Sequence, residues 1–178
     1  MTRAIHVVVM GVSGCGKSHV GLALAQLLGL PMIEGDEFHP QGNIDKMARG
    51  EALGDADRAG WLRILGEQLH AHPGGAVLAC SALKKKYRDA LRAAVPGLAF
   101  LHLAITPEES QRRVSSRPEH FYPPSLVASQ FEALEDPSGE ARVLTACGTL
   151  PIERIAQEAA LWLQGLDSPS APTQPPKN

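Results

Sequence analysis

Cysteine is scarce in this chain and poorly placed for a disulfide framework. Cys15, Cys80 and Cys147 are the only three in 178 residues, with no C-x-x-C pair and an odd count, so they read as reduced thiols and point to a cytosolic address. An excess of either charge is also missing. Lys plus Arg number 17 against 19 Asp plus Glu, a net charge of -2, which gives no general attraction to nucleic acid or to an anionic membrane. No apolar run approaches the roughly 20 residues needed to cross a bilayer, and the N-terminus, with Arg3 ahead of an apolar run holding His6, lacks the layout of a signal peptide. A soluble protein is expected. Internal repeats are absent. The seven histidines show no metal-ligand spacing beside a carboxylate; His70 and His72, two apart at a helix end, project to different sides, so no transition-metal site is expected.

What is present fits one domain in length, expected over residues 1–165, followed by a Pro- and Ser-rich tail, 166–178, read as disordered. From Ile5 to Met10 the residues are β-branched and apolar without alternation, the pattern of a strand covered on both faces. Val20, Leu24, Leu27 and Leu28 then recur at helical spacing, and Gly29 with Pro31 ends that helix. A short strand around PMIE leads into a polar segment, Gly35 to Asp57, too rich in Gly, Asp, Asn and His for core and read as functional surface. Asp57 is expected to cap a helix whose stripe is Trp61, Leu62, Leu65 and Leu69. AVLACSA, LAFLHLA and ARVLTAC predict three more strands with helical stretches between them, and Ile152, Ile155, Ala159 and Leu163 line a last helix. The expected fold is α/β: a three-layer parallel sheet with helices on both faces.

Between the first strand and its helix stands GVSGCGKS, Gly11 to Ser18, which matches G-x-x-x-x-G-K-[ST] in the context that gives that pattern meaning. Gly11, Val12, Ser13, Gly14, Cys15, Gly16, Lys17 and Ser18 are therefore expected to bind a nucleotide triphosphate. The glycines let backbone N–H groups close on the β-phosphate, and the following helix adds the positive end of its dipole. Lys17 reaches the β and γ oxygens and the Ser18 hydroxyl coordinates Mg²⁺, so charge developing on the transferred group meets fixed positive charge. The Cys15 thiol is given no chemistry.

A GTP switch would need a guanine-reading N/T-K-x-D segment, which this chain lacks; its D-x-x-G, residues 136–139, is far from the early strands and reads as a turn. A motor ATPase would show a carboxylate ending an apolar strand, whereas AVLACSA ends in Cys80 and Ser81. The acidic residue best placed is Asp36, beyond PMIE, where parallel topology brings strand ends near the phosphate loop.

EGDEFHPQGNIDKMARGEALGDADRAGWL (Glu34 to Leu62), CSALKKKYRDALR (Cys80 to Arg92) and SSRPEHFYPPSLVASQFEALEDP (Ser115 to Pro137) together resemble the gluconokinases, ATP-dependent kinases related to shikimate and adenylate kinases. The resemblance runs from about residue 5 to about 165. It implies a P-loop kinase fold of the nucleoside monophosphate kinase type with a small lid, at about 115–125, and transfer of the ATP γ-phosphate to the terminal hydroxyl of D-gluconate. A homodimer is implied too.

An alcohol is a weak nucleophile at neutral pH and needs a carboxylate to orient it and take its proton. Asp36 is the candidate base, with a metal helper, a substrate ligand or a plain turn cap as the alternatives. Gluconate's own carboxylate and hydroxyls call for cations and mixed hydrogen-bonding groups: Arg58, Lys84 and Arg88 as cations, and Ser81, His39 and Gln130 beside them, with Asn43 in the same polar segment. For Ser81 a helix N-cap is the alternative, and Lys85, Lys86 and Arg112 read as solvated helix faces. Arg117, as a catalytic group, and Arg113, as a nucleotide ligand, are expected to meet the phosphates when the lid, with His120, excludes water. Two departures from the family pattern stand out: Glu34 replaces the first Asp of its D-G-D, and VLTACGTLP lacks an aspartate, which leaves the adenine contacts open. Shikimate or a nucleoside monophosphate as acceptor, or a regulatory ATP-binding module, are the competing readings. A shikimate site would show a glycine triplet where this chain has CSA.

Overall fold

The computed structural model describes residues 3–117 and 124–166. Most of the expected lid, His120 included, and all but the first residue of the expected tail lie outside the described residues. Among the described residues the chain forms five strands and seven α-helices. The strands are β1 (Ile5–Met10), β2 (Met32–Glu34), β3 (Gly75–Ala79), β4 (Ala99–Ala104) and β5 (Val143–Cys147). The helices are α1 (Lys17–Leu28), α2 (Gln41–Ala48), α3 (Asp55–His70), α4 (Lys85–Ala94), α5 (Pro107–Ser115), α6 (Val127–Ala133) and α7 (Ile152–Leu166).

The strands pair in parallel in the order β2-β3-β1-β4-β5, so the unbroken apolar runs have the cause expected of them: both faces are covered. Alternate side chains of β1 divide between two cores. Val7 and Val9 pack with Val20 and Leu24 of α1 and Ile155, Ala159 and Leu163 of α7. Val8 and Met10 pack with Trp61, Leu65 and Leu69 of α3 and Leu91 of α4. At roughly 25 cal/mol per Å² of apolar area removed from water, each fully buried leucine contributes about 2 kcal/mol.

Several local expectations need correction. Leu27 is 53% exposed, because α1 presents Val20, Gly21, Leu24 and Ala25 to the sheet instead. Ile152 is likewise at the surface, and Ala156 and Ala160 join the buried stripe of α7. Asp57 is not the N-cap of α3. Gly54 is, and the Asp57 carboxylate accepts the Gly54 N–H at 2.7 Å from within the first turn. The polar segment contains a helix that was not foreseen, α2, whose Met47 meets Leu126 in a small separate cluster.

Candidate active site

Parallel pairing puts the C-terminal ends of β1, β2 and β3 on one edge, and the loops leaving them make the site. The loop after β1 is residues 11–16, with α1 beginning at Lys17. β2 ends at Glu34 and passes into a 3₁₀ turn, Gly35–Phe38. Gly35 is required there by close approach: a Cβ would lie 2.4 Å from the Ala79 carbonyl oxygen. That contact keeps Asp36 next to the end of β3. Beyond β3, Ser81 hands its carbonyl to the Gly11 N–H at 3.2 Å, tying this segment to the phosphate loop. The helix-cap alternative for Ser81 fails, since α4 begins only at Lys85 with Lys84 as its cap.

One cleft of about 80 Å³ is lined by Ser13, Gly14, Gly16, Lys17 and Ser18 on the phosphate-loop side and by Asp36, His39, Arg58, Ser81, Arg117 and Gln130 around the rest. Lys17 Nζ donates to the carbonyls of Gly11 and Val12, both at 3.1 Å, folded along the loop. The Ser18 hydroxyl is hydrogen-bonded to the Glu34 carboxyl, whose pKa is raised above the ordinary value mainly by burial, with the Ser18 bond and Lys17 opposing and Asp36 reinforcing the rise. A hydroxyl beside carboxylates is an oxygen donor set of the kind a magnesium ion takes. Among the described residues no cluster of three or more His, Cys, Asp or Glu is arranged to hold a metal.

His39 lies between Trp61 and Asp36. Its ring stacks on the indole with centroids 4.1 Å apart and planes 14° apart, and its Nε2 is 3.8 Å from Asp36 Oδ1. Burial pulls its pKa down to about 4, with Asp36 opposing and Arg58 adding to the fall, so the ring is neutral near pH 7. Asn43 Nδ2 is 3.3 Å from His39 Nδ1 and donates to the Asp57 carbonyl at 2.9 Å. A neutral ring accepting at Nδ1 carries its proton on Nε2, toward Asp36. Arg58 is buried, with its guanidinium 5.4 Å from the Tyr87 ring centroid and Nε lacking any hydrogen-bond partner. A cation so placed favours an anion in the cleft. Cys80, beside Ser81, is buried and its thiol pKa is pushed up to about 12 by that burial, so it stays an inert thiol.

Two expected substrate cations are not brought to this cleft. Arg88 is completely buried, and its guanidinium donates to the carbonyls of Ala82 (2.8 Å), Leu83 (2.9 Å) and Glu135 (3.0 Å) and to both Glu140 carboxylate oxygens (3.1 and 2.6 Å). A guanidinium has five N–H donors, and these bonds engage all of them, so Arg88 pins the segment after α6 and has none left for gluconate. Lys84 donates to Asp55 at 3.0 Å. Lys86 and Tyr87 also bond that carboxylate, and the three hold its pKa well below the usual range, Lys86 most of all. Lys84 therefore joins α4 to the start of α3.

Arg113 lies outside the first cleft, in a second cavity of about 230 Å³ with Cys15, Gly16, His19, Arg117, Gly148 and Leu150 among its walls. It donates to the Gly14 carbonyl at 3.0 Å, the Gly148 carbonyl at 3.1 Å and Glu109 at 2.7 Å. Arg117 borders both spaces. Arg112 bonds Glu109 at the surface, at 2.9 and 2.6 Å.

Two contributors were not read from the sequence. Trp61 had been placed on an apolar stripe, yet its indole N–H donates to the Gly35 carbonyl at 2.8 Å and fixes the turn that carries Asp36. Its amphipathic ring was the available hint. Ser110 is fully buried and donates to the Ser13 carbonyl at 2.7 Å; nothing in its local sequence marks it.

Comparisons with known proteins agree with this fold. A family model described as shikimate kinase matches residues 13–142. The gluconokinase of Gluconobacter oxydans (strain 621H) is 42% identical over 164 residues, 90% of this chain and 92% of that protein. The thermoresistant gluconokinase of Escherichia coli (strain K12) is 40% identical over 83% of this chain and 87% of its own length. A crystal structure of a gluconokinase from Sinorhizobium meliloti 1021 superposes with a TM-score of 0.84 at 46% identity, covering 93% of this chain and 95% of that one.

Proposed function

The chain belongs to the gluconokinase family, and we propose that its cleft transfers the γ-phosphate of ATP to the 6-hydroxyl of D-gluconate, giving 6-phospho-D-gluconate and ADP. The observation that carries the assignment of roles is the shared cleft: a phosphate loop with Lys17 on one side, and a carboxylate, Asp36, with a buried cation, Arg58, on the other.

Asp36 accepts the hydrogen bond of the 6-hydroxyl and takes its proton as that oxygen bonds to the γ-phosphorus, while the bond from phosphorus to the bridging oxygen breaks and ADP leaves. Lys17 moves from the Gly11 and Val12 carbonyls onto the phosphate oxygens, where its charge counts most as the transferred group separates. Arg58 pairs with the gluconate carboxylate, and Ser81 and His39 meet its hydroxyls. Magnesium would be held by the Ser18 hydroxyl together with the phosphates, with Glu34 orienting that hydroxyl, and would neutralise charge on the β and γ oxygens. Arg113 and Arg117 hold the nucleotide from the other side, with the base in the cavity bordered by Gly148 and Leu150, the contact that the missing aspartate had left open. Arg117 supplies charge to the phosphates. Lys84 and Arg88 take no part.

A homodimer remains part of this reading on the strength of the resemblance and is tested by sedimentation of the purified chain. The cytoplasmic address is supported by three free cysteines. No helix among the described residues is long and apolar enough to cross a membrane.

The deciding experiment is ADP release from Mg-ATP with and without D-gluconate, beside shikimate, other aldonic acids and AMP. Stimulation many-fold by gluconate alone is expected. Stimulation by another acceptor instead would reassign Arg58 and Ser81, and none by any acceptor would leave only a nucleotide-binding module.

A further inference from the structure

The tip of the phosphate loop is gripped by two side chains 97 and 117 residues further along the chain. Ser110 of α5 donates its hydroxyl to the Ser13 carbonyl at 2.7 Å, and Gln130 of α6 accepts the Ser13 N–H on Oε1 at 2.5 Å, both bonds buried. Ser110 is fully enclosed and Gln130 is 6% exposed. Helix α5 lies directly on the loop: Gly14 has a φ of +77°, and a Cβ on it would stand 3.1 Å from the Arg113 Cβ and 3.4 Å from the Ser110 carbonyl oxygen. The next carbonyl, that of Gly14, is taken by Arg113.

These bonds set directions. The described peptides are trans, and a trans peptide holds its C=O and N–H antiparallel. With the Ser13 carbonyl fixed toward Ser110, the N–H of the same peptide, which belongs to Gly14, is turned the opposite way, and Gly14 lines the cleft. With the Ser13 N–H fixed on Gln130, the peptide before it cannot rotate either. Gln130 had been expected to touch gluconate, but its carbonyl oxygen is engaged by the loop.

We propose that Ser110 and Gln130 are positioning residues for phosphoryl transfer: by clamping Ser13 from both sides they hold the Gly14 N–H in the direction of a phosphate oxygen. A donor fixed in advance needs no reorganisation when charge develops on the phosphate, which is where such groups contribute most. The inference rests on the reading above only in taking the loop to hold the triphosphate.

The test is Mg-ATP binding by calorimetry in the absence of gluconate, followed by steady-state kinetics, for Ser110→Ala, Gln130→Met and the double variant, each checked for native circular dichroism. Each single change is expected to weaken Mg-ATP binding roughly ten-fold, the scale of one lost buried hydrogen bond, and to lower kcat, with the KM for gluconate within about two-fold of wild type. Because both act on the two peptides that flank one residue, Ser13, the double variant loses less than the product of the two. Wild-type ATP affinity in both singles overturns the proposal. A raised gluconate KM with unchanged ATP binding in Gln130→Met also overturns it, by making Gln130 a substrate ligand. If Ser110→Ala does not fold, Gln130→Met alone decides. A wild-type enzyme that ignores gluconate would sink the acceptor assignment and leave the binding measurement intact.

Discussion

At Asp36 the carboxylate stands just past the shortest strand, held by the Trp61 bond to Gly35 and flanked by His39. Asp36→Asn keeps the shape and removes the proton acceptor, so kcat is expected to fall by about 10²- to 10⁴-fold with Mg-ATP binding nearly unchanged. Unchanged kcat would remove the residue from the base role. Lys17→Ala should abolish turnover, and a wild-type rate in that variant would displace the phosphate site. His39 gives a pH dependence whose sign can be worked out. Its folded value, about 4, lies below the 6.5 of the free side chain, so the unfolded chain takes the proton first. The stability from the neutral ring is then complete above about pH 6.5 and is lost as pH falls toward 4. Urea midpoints measured from pH 7 to 4 should therefore drop more in the wild type than in His39→Phe, which stacks but does not titrate. Equal slopes would mean that another group governs the window.

Among the elements, α4 corrects the sequence reading most. Lys84 and Arg88, four apart, are expected from the sequence to hold gluconate, but Arg88 points into the protein and bonds the Glu140 carboxylate, whose side chain is only 12% exposed. Arg88→Met takes the Ala82 and Glu135 carbonyls' guanidinium donor away and leaves the Glu140 carboxylate with Arg92 alone, and should cost about 2–3 kcal/mol by chemical denaturation. Its gluconate KM per folded molecule is expected to stay within about two-fold of wild type, since the residue is not at the cleft. A large rise in that KM without a stability loss would restore it as a substrate ligand. Spacing showed that the two cations share a helix, but the direction in which that helix faces depends on the segment 135–140 folding back over it. In the same way α2 was hidden in the polar segment, because it buries little beyond Asn43 and Met47 and so carries no long apolar stripe.

For the whole molecule, the cleft forms where loops leaving three neighbouring parallel strands converge, and a ligand bound there stabilises the assembly by mass action. Mg-ATP at about one hundred times its Kd should add about 2.7 kcal/mol to the unfolding free energy. That gain, read as a rise in melting temperature, should be missing in Lys17→Ala. An equal rise in both proteins would place nucleotide binding elsewhere. The strands, the phosphate loop and the family resemblance were legible in the sequence because each depends on local pattern: unbroken apolar runs, glycines at fixed spacing, a lysine and a serine at the head of a helix. The place of Asp36 beside the phosphate loop was legible too, by its position after a short strand. The roles of Trp61, Ser110, Gln130 and Arg88 were not, because each depends on a hydrogen bond or ion pair to a residue 26 to 117 positions away. By itself the sequence determined the sheet, the phosphate loop and the kind of chemistry the loop serves. Which polar side chains face the cleft and which brace it from behind was decided only by tertiary packing, since a buried donor takes whatever acceptor the fold brings within about 3 Å.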